Sequence, residues 1–97
     1  MDHKQATIEE YKKKYGHVFK YSSADGKTCL LRNPDLKIID ACRTVAGSST
    51  VKFDKAMLEN CWLEGDEELR TSDEYMMGLF DWMYGIIKKV DGQLEEL

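Results

Sequence analysis

Residues 17–33, HVFKYSSADGKTCLLRN, place two runs of β-branched, aromatic and apolar residues on either side of Asp25-Gly26. Asp-Gly suits a two-residue turn in which both positions take positive φ, so the spacing predicts a hairpin pairing Val18–Ser22 with Thr28–Arg32. Phe19, Tyr21, Leu30 and Leu31 are its expected buried side. A lone hairpin is marginal in water, so helices must cover one face. The expected class is therefore α+β: a two-stranded β-hairpin packed with three to four α-helices.

The helices announce themselves by their ends. Thr7–Glu10 reads as a capping box, Ile8, Tyr11 and Tyr15 follow at helical spacing, and Gly16 is a natural stop. Asn33 and Pro34 read as the cap and first position of a second helix, with Leu36, Ile38, Ile39, Cys42, Val45 and Ala46 as its apolar stripe and Gly47 as its stop. Ser49 or Thr50 caps a third, carrying Phe53, Met57 and Cys61 on one face beside Leu58 and Trp62, and ending at Gly65. An acidic loop follows at residues 66–70. A second capping box, Thr71–Glu74, opens a long C-terminal helix running to Leu97. A chain of 97 residues makes one domain, 1–97, with residues 1–6 as a disordered tail.

Composition excludes several classes of function. Apolar and charged fractions of 42% and 33% fit a globular protein. No apolar run approaches the ~18 residues of a membrane helix. The opening stretch lacks an apolar signal core, so a cytoplasmic location is expected. The three cysteines, Cys29, Cys42 and Cys61, are odd in number and form no CxxC, which predicts free thiols in the core. Residues 1–50 hold nine Lys/Arg against six Asp/Glu, a net of +3, whereas residues 51–97 hold five against twelve, a net of −7. An acidic chain of this kind is not expected to neutralise nucleic-acid phosphates, and Lys12–Lys14 are flanked by Glu9 and Glu10. His3 and His17 do not combine with the cysteines at zinc-ligand spacing. Glu64, Asp66, Glu67, Glu68, Asp73 and Glu74 lack the ligand alternation of a calcium loop. No phosphate-binding, zinc-protease or nucleophile-elbow motif occurs. The expectation is no enzyme, no metal and no cofactor.

The last predicted helix carries the candidate site. At 100° per residue, Met76, Met83, Val90 and Leu97 form one column, Leu79 and Ile86 a second, and Phe80, Ile87 and Leu94 a third. Together they make the core-facing stripe. Gly78, Gly85 and Gly92 fall in a separate column, with Tyr75 and Trp82 on one side and Met77 and Tyr84 further round. Glycine admits a close neighbour, and Trp and Tyr are enriched at binding hot spots. The partner-binding candidates are therefore Tyr75, Met77, Gly78, Trp82, Tyr84 and Gly85. The competing reading is that these glycines are tolerated at solvent positions, or that the helix stops before Asp91.

The order of elements, and the stretch LENCWLEGDEELRTSDE with its Cys61–Asp66 segment, resembles the small phage proteins known as tail assembly chaperones and related short proteins of Bacteroides-type phages and prophages. The resemblance spans Thr7 to Leu97. It implies a non-enzymatic protein of the host cytoplasm that binds the tape-measure protein and keeps its hydrophobic helices soluble while tail-tube subunits are recruited. It carries over no site residue. Five methionines, Met76-Met77 among them, would help a surface adapt to varied helices. The alternative is a small acidic phage regulator or inhibitor that binds a basic host-protein surface. A homo-oligomer is also open.

Overall fold

The hairpin gains a third strand. In the computed structural model, which describes residues 3–97, the elements are α1 (Gln5–Tyr15), β1 (Val18–Ser22), β2 (Thr28–Arg32), α2 (Leu36–Ala46), α3 (Thr50–Cys61), β3 (Trp62–Gly65), α4 (Glu68–Thr71) and α5 (Asp73–Phe80), followed by a 3-10 helix at Met83–Ile86. The architecture is α+β, with one antiparallel sheet in the order β1-β2-β3. The helical pair α2–α3 is inserted between the second and third strands.

The β1–β2 register runs from Val18 opposite Arg32 to Ser22 opposite Thr28, as the sequence spacing predicts. The turn differs from the expected two-residue form. Only Gly26 has positive φ, at 92°, and its N–H donates to the Ser23 carbonyl at 3.0 Å, while the Ser23 N–H donates to the Lys27 carbonyl at 2.8 Å. This is a three-residue connection in which Asp25 does not take positive φ and Gly26 alone does.

β3 corrects the two-stranded hairpin. α3 stops at Cys61, and Trp62 turns extended and pairs with Leu31. The chain then bulges, sets Glu64 against Leu30, and brings Gly65 against Cys29. Gly65 is no helix stop. A Cβ there would lie 2.4 Å from the Cys29 Cβ and 2.6 Å from the Thr28 carbonyl oxygen, and its φ is 151°. Only glycine fits so near the central strand. Asp66 locks the end: its N–H donates to the Thr28 carbonyl, and its carboxylate accepts the Thr28 N–H, both at 2.9 Å.

Both faces of the sheet are covered, so Leu30 and Leu31 are both buried although they point opposite ways. Cys29 and Leu31 face the main core, with Phe19 and Tyr21 against it and Cys42, Met57, Leu58, Cys61 and Leu69 across from them. α1 lies over the other face. His3 reaches Thr28 and Glu64, and the Arg32 guanidinium sits 4.4 Å from the Tyr15 ring centre. Of the tail expected at 1–6, residues 1 and 2 lie outside the described residues, His3 is fixed on the sheet, and Gln5 and Ala6 already belong to α1.

Several helix ends shift. α1 starts two residues before Thr7, without a side-chain cap. α2 is capped by Asp35, not Asn33: its carboxylate accepts the Ile38 N–H at 2.9 Å. Ser49 caps α3 through the Lys52 N–H at 3.1 Å. Part of the expected acidic loop coils into α4, whose last residue is Thr71 with its hydroxyl donating to the Glu67 carbonyl, and α5 opens after Ser72 without a side-chain cap. Gly16 and Gly47 do end α1 and α2, with positive φ.

The long C-terminal helix is also corrected. α5 ends at Phe80, and the N–H groups of Trp82, Gly85 and Ile87 bond three residues back, to the carbonyls of Leu79, Trp82 and Tyr84. This tighter winding still buries Met76, Leu79, Met83 and Ile86. Each interior glycine costs an α-helix about 1 kcal/mol. Past Ile87 no core remains to offset that: Val90, Leu94 and Leu97 are fully exposed. A short helix without tertiary packing is marginal in water.

Candidate functional site

Ending α5 at Phe80 breaks the glycine column apart. Gly78 faces this protein's own hairpin: a Cβ there would stand 3.3 Å from the Tyr21 hydroxyl oxygen. Gly85 lies in the 3-10 helix with nothing within 4 Å of such a Cβ, and Gly92, beyond it, is equally open.

Tyr75 is engaged with the hairpin turn. Its hydroxyl donates to the Asp25 carboxylate, and the Lys27 ammonium stands 5.8 Å from its ring centre. The Ser23 hydroxyl also donates to Asp25. These bonds, from Ser23 first and Tyr75 second, hold the Asp25 carboxyl below its ordinary range. The same bond to Asp25 pushes the Tyr75 phenol up to about 12. Tyr75 and Gly78 border an open cleft of about 440 Å³ with Tyr21 and Glu74.

Trp82 is 66% exposed. It walls an apolar cleft of about 150 Å³ with Phe19, Tyr21, Leu31, Leu79 and Ile86, and Lys20 at the rim. Tyr21 is common to this cleft and the previous one, so Tyr75, Gly78 and Trp82 share one side of the molecule. Met77 borders a separate groove of about 260 Å³ beside Val51, Met76 and Phe80. Tyr84 stacks on Phe53, ring centres 6.1 Å apart and planes at 19°, next to the α2–α3 connection. The six candidates thus occupy separate surfaces: Tyr75, Gly78 and Trp82 on one, Met77 and Tyr84 on two others, and Gly85 in open space.

The acidic cluster is largely committed internally. Glu67 receives two Arg70 N–H bonds of 2.8 Å, which hold its carboxyl low, and the Lys27 ammonium is 3.4 Å from Glu68. The Thr28 N–H bond keeps Asp66 low as well. Glu64 meets His3: Nδ1 is 2.8 Å from its carboxylate, and Nε2 is 3.0 Å from the Thr28 hydroxyl. A carboxylate only accepts, so Nδ1 is the donor to Glu64, and Nε2 shares a hydrogen bond with the Thr28 hydroxyl.

Hydroxyl, imidazole and carboxylate in that order have the connectivity of an activated nucleophile. Here, however, Thr28 is 8% exposed and the His3 side chain 2%. The set is a clasp beneath α1. Local sequence offers no signal for it, because His3 and Glu64 stand 61 residues apart. The three cysteines are buried and free. Burial pushes the Cys29 and Cys61 thiols up to about 12, and Cys42 also upward, which removes the thiolate a nucleophile needs. Among the described residues no group of three His, Cys, Asp or Glu side chains is placed to hold a metal ion, and no helix is long and apolar enough to cross a membrane. Comparison with protein-family models, with curated proteins and with solved structures finds no match to this chain.

Proposed function

We propose that this chain is a non-enzymatic adaptor that holds apolar helical segments of a protein partner, in the manner the tail assembly chaperone resemblance implies, with a tape-measure protein or tail-tube subunit as partner. One observation carries the reading: a largely exposed tryptophan stands at the wall of an apolar cleft. At about 150 Å³ the cleft is smaller than the ~300 Å³ at which small-molecule sites begin. It suits a side-chain knob from a helix lying against Trp82. The groove beside Met77 and Val51 offers a second, softer contact on another side. The acidic-inhibitor reading is less favoured, because Glu64, Asp66, Glu67 and Glu68 already have partners within the chain.

The test uses the Trp62→Phe variant, which leaves Trp82 as the one tryptophan of a chain that has two. A synthetic leucine-rich amphipathic helix is titrated in while fluorescence is followed. Capture at Trp82 gives a blue shift and an affinity that salt barely changes. Trp82→Ser, followed by peptide anisotropy, weakens it by about 30-fold, the effect of removing an interface hot spot. Equal capture by Trp82→Ser refutes the site. Preference for a lysine-rich peptide, lost steeply with salt, supports the inhibitor reading instead. A tape-measure gene beside the gene for this chain would support the specific partner.

A further inference from the structure

Residues 87–97, IKKVDGQLEEL, leave the 3-10 helix with Ile87 extended (φ −85°, ψ 101°) and run on without helix, turn or bend. The radius of gyration is 14.8 Å. A compact chain of this length would have about 12.5 Å. The long axis reaches 53 Å, so this arm projects from the body. Three fully exposed apolar side chains on an extended segment, with its backbone unpaired, make a ready template for another strand.

The arm is chemically symmetric about Gly92. Ile87 matches Leu97, Lys88 matches Glu96, Lys89 matches Glu95, Val90 matches Leu94, and Asp91 matches Gln93. Two such arms lying antiparallel and crossing at Gly92 place each residue opposite its complement. Directly opposed residues have Cβ atoms about 5 Å apart, so lysine and glutamate meet on both sides of the crossing. A parallel pair sets lysine on lysine and glutamate on glutamate. A one-residue slip sets Val90 against Glu95 and Asp91 against Leu94. Among the described residues Lys89, Asp91, Glu95 and Glu96 enter no ion pair within the chain. Lys88 stands over the Phe19 ring, 5.5 Å from its centre, which anchors the root of the arm beside the Trp82 cleft.

We infer that residues 87–97 pair with the same segment of a second copy as antiparallel strands about a two-fold axis at Gly92. Such an interface is self-complementary, as a two-fold contact requires. It is smaller than the ~1,200 Å² at which stable interfaces begin, so the dimer is weak, reversible and salt-sensitive. It is independent of the partner proposed for the Trp82 cleft.

Sedimentation equilibrium of the full chain over a hundredfold range of concentration is the test. A monomer–dimer equilibrium is expected. Lys88→Glu/Lys89→Glu, or Glu95→Lys/Glu96→Lys, sets like charges across the axis and weakens self-association by at least about tenfold. Both double variants lie outside the core, and Glu95→Lys/Glu96→Lys, which breaks no contact among the described residues, keeps the wild-type thermal transition, whereas Lys88→Glu also gives up the contact with the Phe19 ring. Mixed in equal amounts, they form a heterodimer at least as tight as the wild-type pair. A wild-type chain that stays monomeric overturns the inference, as do double variants that dimerise normally or fail to rescue each other. A gain of helical circular dichroism on association overturns the strand pairing.

Discussion

Gly65→Ala tests whether the third strand closes on the second as tightly as described. The new Cβ would stand 2.4 Å from the Cys29 Cβ, 2.5 Å from its Cα and 2.6 Å from the Thr28 carbonyl oxygen. Carbon atoms rest about 3.5–4.0 Å apart, so the strands must separate by roughly an ångström. Two of the three atoms met are backbone of the central strand, and they cannot swing aside as a side-chain end would. Forcing an extra methyl into a packed site costs about 1–3 kcal/mol. Holding alanine at a φ of 151° adds strain, of order 1–2 kcal/mol. The total, about 2–5 kcal/mol, is a large part of the roughly 5–15 kcal/mol of a domain this size. In urea the midpoint falls by about 1–3 M if the slope stays near 1.5 kcal/mol/M. Thermal melting falls by at least about 10 °C. A midpoint within experimental error of wild type would refute the close approach and the β2–β3 register with it.

Gly85→Ala is the opposite case: its Cβ meets open space and its φ is not positive, so a gain of about 0.5–1 kcal/mol in urea unfolding is expected, and a loss would show that residue packed. His3→Ala removes both bonds of the clasp and costs about 1–3 kcal/mol. Hydrogen exchange should then speed up at the amides of α1 before those of α3, and unchanged protection of α1 would assign its docking elsewhere. Alkali is a further probe. Tyr75, Cys29 and Cys61 have folded-state values of about 12, raised from 10.0 for the phenol and 9.0 for the thiols. Their stabilisation is complete below the unfolded values and is lost as pH rises from about 9 to 12. Melting temperature should fall across that window, with Tyr75→Phe removing the phenol's share of the fall. A flat profile would contradict the burial of both thiols.

What could be read from sequence depended on how local each signal was. The β1–β2 register follows from alternation around one turn, and the stops at Gly16 and Gly47 from single residues at helix ends. The core positions Met76, Leu79, Met83 and Ile86 are legible because their spacing buries them in an α-helix and a 3-10 helix alike. β3 is not legible. Four residues between a helical pattern and an acidic run have no room for alternation, and Gly65 carries the same letter as a helix stop. The glycine column rested on a continuous helix beyond Phe80. Once the winding changes at Trp82, heptad spacing no longer places Gly78, Gly85 and Gly92 on one line. Of the candidate site, Trp82 and Met77 are exposed beside apolar clefts, whereas Tyr75 and Gly78 serve contacts to the hairpin that only the folded chain displays.

The clasp beneath α1 has a consequence for how this chain assembles during synthesis. The β1–β2 hairpin and the α2–α3 pair join neighbours in sequence and can form as soon as each is complete. The seat of α1 is different, because its anchor His3 closes on Glu64, and the strand carrying Glu64 must first align on Leu30. α1 therefore precedes β3 in the chain but is clasped only once β3 has aligned. Until β3 is made and paired, the α1 side of Leu30 stays open to water, and the nascent protein is a half-covered sheet waiting for its lid.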